Sequence, residues 1–219
     1  ARKIYFDDRN PKRIGSTIKN VELLESLKAL SKNSYSVNRG KIAKLIDEKL
    51  APVLTKKDLS SWETIQRKPL CKNYKGYDIC GFPPPTSGGV GVLQILGILE
   101  NIATNFDPQN TVLDEHLFLE ASRLAYADRN TYIADPSFFE VPLKDLLSKK
   151  YLKKRSVLIK IKKATKEVKH GTFQGFKGSS LGNAINFDFP STTHISIIDS
   201  SGNAVALTSS IEFAFGSGK

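Results

Sequence analysis

Residues 191 to 210 read Ser191-Thr192-Thr193-His194-Ile195-Ser196-Ile197-Ile198-Asp199-Ser200-Ser201-Gly202-Asn203-Ala204-Val205-Ala206-Leu207-Thr208-Ser209-Ser210. Thr193 to Ile198 is β-branched and apolar, Asp199 to Asn203 is a turn cluster, and the chain turns strand-like again from Ala204 to Ile211. A three-residue loop with Gly202 in the left-handed region closes such a hairpin. That loop opposes Asp199 to Asn203 and Thr192 to Ser210. Opposed residues hold their Cβ atoms about 5 Å apart, so two hydroxyls meet at the open end of the hairpin. Glu212 lies two residues past Ser210 and shares its face. Residues 171–191, ahead of the hairpin, are rich in Gly, Ser and Asn with scattered Phe, and read as a mobile linker.

A threonine hydroxyl is a poor nucleophile at neutral pH unless a base lies beside it, and one solution is the nucleophile's own N-terminal amine. That amine ordinarily titrates near 8, which makes it a competent base. A chain gains such an amine at Thr192 only by being cut after Ser191. A mobile linker before a rigid strand is where a cut does least harm. Taken alone, a Thr-Thr pair at a strand start describes an ordinary strand far more often than a nucleophile.

Other chemistries lack their motifs. The sequence has no Gly-x-Ser-x-Gly elbow. Ser87-Gly88-Gly89-Val90-Gly91 lacks the Lys of a phosphate-binding loop. His116, His170 and His194 lie far apart, and Cys71 and Cys80 do not form a Cys-x-x-Cys pair. No cofactor and no metal is expected. His194 reads as a hydrogen-bonded core histidine.

Upstream, residues 1–15 show no period and read as a loop or broken strand. Asn20 is a good N-cap for a helix carrying Leu23, Leu24, Leu27 and Leu30. A second helix spans about Arg39 to Leu50 and ends at Pro52. Residues 66–82 read as a hairpin that turns at Lys75-Gly76, with Gly76 able to take positive φ. Its register opposes Cys71 to Cys80 at a non-hydrogen-bonded pair, which admits a cross-strand disulfide or two buried thiols. Further helices are expected over about Val90 to Ala103, Asp114 to Arg129 and Leu143 to Lys163. Asp128 and Arg129 read as an ion pair or cap for their helix. The longest apolar stretch, Gly88 to Leu99, is broken by Gln94 and is too short to cross a bilayer.

The composition is globular: 219 residues, 40% hydrophobic and 25% charged. There is no Met, so Ala1 is not a translation start and the chain reads as a processed or excised piece. The net charge is +11. Between Lys149 and Lys169 there are ten basic residues and one acid, Glu167, so most of the excess is local. No nucleic-acid partner is expected from so uneven a distribution. The run itself reads as a solvated helix face or linker, and alternatively as a polyanion- or surface-binding patch.

Several segments carry a resemblance. They are Leu54-Thr55-Lys56-Lys57-Asp58-Leu59, Tyr74-Lys75-Gly76-Tyr77, Pro83-Pro84-Pro85-Thr86-Ser87-Gly88-Gly89, Arg123-Leu124-Ala125-Tyr126-Ala127-Asp128-Arg129 and Asp135-Pro136. They continue with Thr192-Thr193-His194-Ile195-Ser196 and Gly202-Asn203-Ala204-Val205. In this order they resemble the γ-glutamyltranspeptidase (glutathione hydrolase) family of N-terminal nucleophile hydrolases, over about Ile14 to Gly218.

The resemblance implies an α+β chain, part of a four-layer αββα sandwich, made as a precursor that cuts itself between Ser191 and Thr192. Residues 1–191 then end the large subunit and 192–219 begin the small one. Thr192 takes the place of the nucleophile, and Ser210 that of a supporting hydroxyl. Glu212 takes the place of a contact to the amino-acid end of the substrate. Ser191, Thr192 and Thr193 belong to autoprocessing. The implied partners are a γ-glutamyl donor such as glutathione, a water, amino-acid or peptide acceptor, and the rest of its own two subunits. The family's α-carboxylate-binding Arg lies upstream of Ala1, and its serine and glycine pairs lie downstream of Lys219. This piece alone is therefore expected to be inactive, because losing one oxyanion donor costs about 10²–10³ in rate. Export to a periplasmic or extracellular space is implied. Glu212 leaves open a cephalosporin-acylase-like amidase or a poly-γ-glutamate transpeptidase. A non-enzymatic alternative is a polyanion-binding module built on residues 149–169. The Pro83 to Gly89 turn either shapes a site wall or aims a helix.

Overall fold

The structure, a computed structural model, describes residues 2–102, 111–173, 192–211 and 216. The chain is α+β and forms two compact units, residues 1–65 with 187–219 and residues 66–186. In order, the elements are α1 (Arg2–Tyr5), β1 (Phe6–Asp7), β2 (Asn10–Pro11), α2 (Val21–Lys32), α3 (Ser36–Arg39), α4 (Lys41–Leu50), α5 (Lys56–Ser61), β3 (Leu70–Tyr74) and β4 (Tyr77–Gly81). They continue with α6 (Gly88–Leu99), α7 (Thr111–Tyr132), α8 (Leu143–Leu146), α9 (Lys149–Ser156), β5 (Thr192–Ile198) and β6 (Ala204–Ser210). The described strands pair as three separate antiparallel ribbons, β1–β2, β3–β4 and β5–β6. No described helix is long and apolar enough to cross a membrane.

In the first unit the local signals act as expected. The Asn20 side chain accepts from Leu23 N at 2.9 Å and opens α2. Thr55 and Asp58 form a reciprocal capping box on α5. Residues 1–15 contain a short helix as well as the β1–β2 ribbon, where the sequence suggests only loop or broken strand. The leucine stripe of α2 lies open: Leu23, Leu24 and Leu27 are each about half exposed.

The second unit holds the described core. α6 is apolar on every side, as a central helix must be. One cluster joins Ile95 and Ile98 to Ala121, Leu124 and Ala125 of α7 and Leu152 of α9. Another joins Val90, Tyr132, Leu146 and Tyr151. The β3–β4 hairpin has the expected register, Cys71 opposite Cys80, and the two are disulfide-bonded. Its turn uses positive φ at both Lys75 and Gly76, with Asn73 Oδ1 accepting from Gly76 N.

The Pro83 to Gly89 turn aims α6. A Cβ on Gly89 would lie 2.2 Å from the Phe82 carbonyl oxygen, and one on Gly81 would lie 2.7 Å from Gly89 Cα. Only two glycines allow the hairpin and the helix to meet backbone to backbone. Ser87 Oγ then accepts from Arg129 Nε at 2.8 Å and ties the turn to α7.

Three expectations need correction. Asp128 and Arg129 do not pair with each other. Asp128 is fully buried and pairs with Arg155 at 3.3 Å. It also accepts from Gln94 Nε2 (3.0 Å), Tyr151 Oη (2.7 Å) and Gly171 N (2.8 Å). Gln94, the one polar break in the apolar run, is thus buried for a partner. Second, the single Lys-rich helix is two, because Ser148 caps a fresh start by accepting from Tyr151 N. Third, residues 171–173 are docked: Gly171 holds Asp128, and Phe173 packs on Tyr132 and Tyr151. The rest of the expected linker, 174–191, lies outside the described residues.

Residues 160–171 form a strap along α7, held at successive turns of the helix. His116 Nε2 meets Lys160 O at 2.8 Å, and Glu120 Oε2 accepts from Thr165 N at 3.0 Å. Arg155 donates to both Leu124 O and Lys169 O. Asp128 and Tyr132 take the amide and carbonyl of Gly171.

Burial, then the charge of Asp128 and the hydrogen bond donated to it, pushes the Tyr151 phenol well above its ordinary range. The phenol thus stays neutral in the fold where an unfolded tyrosine ionises. This contribution to stability is complete below about pH 10 and is lost as pH rises beyond it. Tyr151→Phe should lower stability at neutral pH yet flatten its decline above about pH 10. Denaturant titrations across that range check this, and parallel declines would refute it.

Candidate active site

The β5–β6 hairpin carries the predicted residues in the predicted register. Thr192 opens β5, Ser210 closes β6, and the two are directly opposed. The loop closes as expected, with Gly202 at φ 81°. Asp199 accepts from the amides of Ser201 and Asn203 and from the Asn203 side chain. The Asn203 side chain first, then the backbone amides, holds the Asp199 carboxyl below its usual range.

Alternation along the strands sorts the ribbon into two faces. One carries Thr193, Ile195 and Ile197 against Ser209, Leu207 and Val205. The other carries Thr192, His194 and Ser196 against Ser210, Thr208 and Ala206. Both hydroxyls of the predicted pair therefore lie on the polar face. Thr193 lies on the opposite face, across from Ser209. Ser191 and Glu212 lie outside the described residues.

His194 is hydrogen-bonded, as the sequence suggests, but it is exposed rather than part of a core. Its Nδ1 lies 2.7 Å from Thr208 Oγ1 and its Nε2 lies 3.0 Å from Ser196 Oγ. A neutral imidazole donates to one hydroxyl and accepts from the other. Sequence reasoning singled out neither Thr208 nor Ser196. The register that pairs Thr192 with Ser210 also pairs His194 with Thr208, and that was the available signal.

Every residue of the ribbon is exposed, where a buried strand was expected at Thr192. Two strands alone have no second layer with which to cover a face.

The chemistry of this face is that of hydroxyls. Within the ribbon the titratable side chains are His194 and Asp199. Asp199 sits in the loop at the far end with its oxygens occupied, and both His194 nitrogens are committed to hydroxyls. Neither His194 nor Asp199 hydrogen-bonds to Thr192, beside which an amine at residue 192 would place a base.

A separate cavity of about 450 Å³ lies in the second unit, lined by Tyr74, Leu99, Leu117, Phe118, Asp114 and Glu115 among others. It holds none of the predicted site residues.

Over residues 1–219 the sequence matches the family model described as Gamma-glutamyltranspeptidase. It is 32% identical to the Glutathione hydrolase proenzyme of Escherichia coli, over 100% of this chain and 37% of that protein. Among solved structures it is similar to the gamma-glutamyltranspeptidase of Helicobacter pylori, with TM-score 0.69 and 30% identity, covering 82% of this chain and 53% of that one. It is also similar to the cephalosporin acylase of Bacillus halodurans, with TM-score 0.80 and 26% identity, covering 99% of this chain and 37% of that one. The chain thus spans well under half the length of the curated relative named here.

Proposed function

Because the chain belongs to the gamma-glutamyltranspeptidase family, we propose that it carries the nucleophile of an enzyme that hydrolyses or transfers γ-glutamyl groups. In this reading Thr192 becomes that nucleophile once the chain is cut after Ser191. The observation that carries it is the direct opposition of Thr192 and Ser210 at the open end of the ribbon. Residues 1–191 then end a large subunit and residues 192–219 begin a small one.

The reaction has two stages. In maturation, Thr192 Oγ attacks the carbonyl carbon of Ser191 and the peptide C–N bond breaks. The proton lost from Oγ ends on the freed amine. Water hydrolyses the resulting ester, leaving a carboxyl at Ser191 and a free hydroxyl and amine at Thr192. In turnover, that amine takes the Oγ proton as Oγ attacks the γ-carbonyl of a γ-glutamyl amide such as glutathione. A γ-glutamyl-Thr192 ester forms, and the proton leaves with the departing amine. Water then completes hydrolysis, or an amino-acid or peptide amine completes transfer. Ser210 supports the attacking oxygen by hydrogen bonding. Glu212 receives the α-ammonium of the γ-glutamyl group.

The Cys71–Cys80 disulfide supports maturation in an oxidising compartment, periplasmic or extracellular. The likeness to a cephalosporin acylase supports a second reading, in which the same ester chemistry acts on another acyl group.

The test is an intact-mass measurement of the full-length protein followed by N-terminal sequencing of the smaller piece. That piece should begin Thr192-Thr193-His194. An active, mature sample with an unbroken 191–192 bond would overturn the proposal. Comparing kcat/KM for a γ-glutamyl anilide with that for a side-chain acyl amide decides between the two readings.

A further inference from the structure

We propose that the lysine-rich face of the second unit docks on an anionic lipid surface. The sequence leaves this run as a solvated helix face, a linker or a polyanion patch. The structure removes the linker reading, because the strap over residues 160–171 is held by hydrogen bonds to α7 and, through Arg155, to α9. The lysines therefore stand on a fixed backbone, and little chain entropy is lost when they meet a partner.

The charge on this face is open to a partner. The one arginine of the run, Arg155, is buried and bound to Asp128. The other nine basic residues between Lys149 and Lys169 are lysines, and all are exposed. The run's single acid, Glu167, pairs with Lys169 at 3.4 Å. Exposed lysine ammonium groups act as point charges rather than bidentate forks. That suits a diffuse negative surface better than a defined phosphate site.

Apolar side chains favour lipid over a soluble polyanion. Val157, Leu158 and Ile161 are 73%, 48% and 51% exposed. They lie in the sequence between Lys153-Lys154 and Lys162-Lys163, with Lys160 among them. Basic residues interleaved with exposed aliphatic ones are the pattern of interfacial binding, in which the charges find anionic headgroups and the apolar groups enter the headgroup boundary. A dissolved polyanion gains nothing from the aliphatic groups.

The test is co-sedimentation of the full-length protein with vesicles. Binding should be strong to phosphatidylcholine vesicles carrying about one quarter phosphatidylglycerol, absent from pure phosphatidylcholine, and released by about 0.5 M salt. Each lysine near such a surface contributes about 1 kcal/mol, or about fivefold. The K160E/K162E/K163E variant should therefore partition at least about 100-fold more weakly, with self-cleavage and turnover unchanged. Ile161→Ser should weaken binding several-fold and leave the salt dependence as it was. Equal binding to neutral vesicles, or full binding by the triple variant, overturns the proposal. Retention on immobilised polyphosphate with no vesicle binding overturns it in favour of a soluble polyanion.

Discussion

Replacing Thr192 by Ala in the full-length protein should leave one uncut chain and lower γ-glutamyl turnover by about 10⁴-fold or more, the scale on which losing a catalytic nucleophile registers. Ala lacks Oγ, so neither the maturation ester nor the γ-glutamyl ester can form. Without the cut, no amine appears at residue 192. In the proposed reading, one substitution thus removes the nucleophile, its base and the event that makes the base. Thr192 is exposed at the start of its strand, so the change leaves no cavity. Gel electrophoresis reads the cut and a chromogenic γ-glutamyl anilide reads turnover. Thr192→Ser keeps a hydroxyl and should still mature. An Ala variant that is processed as fast as the parent would refute the assignment.

The other large effect lies in the second unit. Asp128→Ala should cost about 3–5 kcal/mol, because it leaves Arg155 charged, buried and without its carboxylate. It also strands the Tyr151 hydroxyl and the Gly171 amide and leaves Gln94 Nε2 with the Leu146 carbonyl alone. For a chain of this size the thermal midpoint should fall by about 6–20 °C. Removing both ions by Asp128→Leu with Arg155→Met should recover much of the loss, since what costs most is a lone buried charge rather than the missing pair. A single Ala variant that melts with the parent would show that the pair contributes little.

What the sequence revealed was local. A glycine in a three-residue loop settles the register of β5 and β6, and the register places Thr192 beside Ser210. The same logic applied at Lys75-Gly76 brought Cys71 to Cys80. Capping residues placed α2, because Asn20 acts on an amide three positions away. The misreadings involve partners distant in the chain. Asp128 and Arg129 look like a pair because they are adjacent, yet on a helix successive side chains diverge. Their actual partners, Arg155 and Ser87, are brought in by the packing of α6, α7 and α9. Counting lysines could not reveal the strap, since its hold comes chiefly from side chains of α7 and α9, with Val168 and His170 as its own contribution. Within the candidate site, Thr192 and Ser210 were legible because pairing depends on the loop. The His194 bonds to Thr208 and Ser196 depend on rotamers, which spacing alone does not report.

The strap grips α7 and α9 chiefly through its own main chain: a carbonyl at Lys160, an amide at Thr165, a carbonyl at Lys169 and both groups at Gly171. Main-chain atoms are common to every residue type. Outward-facing positions on the strap can therefore drift in character, and its charge can be raised or erased, without loosening the attachment. His116, Glu120, Asp128, Tyr132 and Arg155 have no such latitude, so the course of an irregular segment is encoded in the helices it crosses.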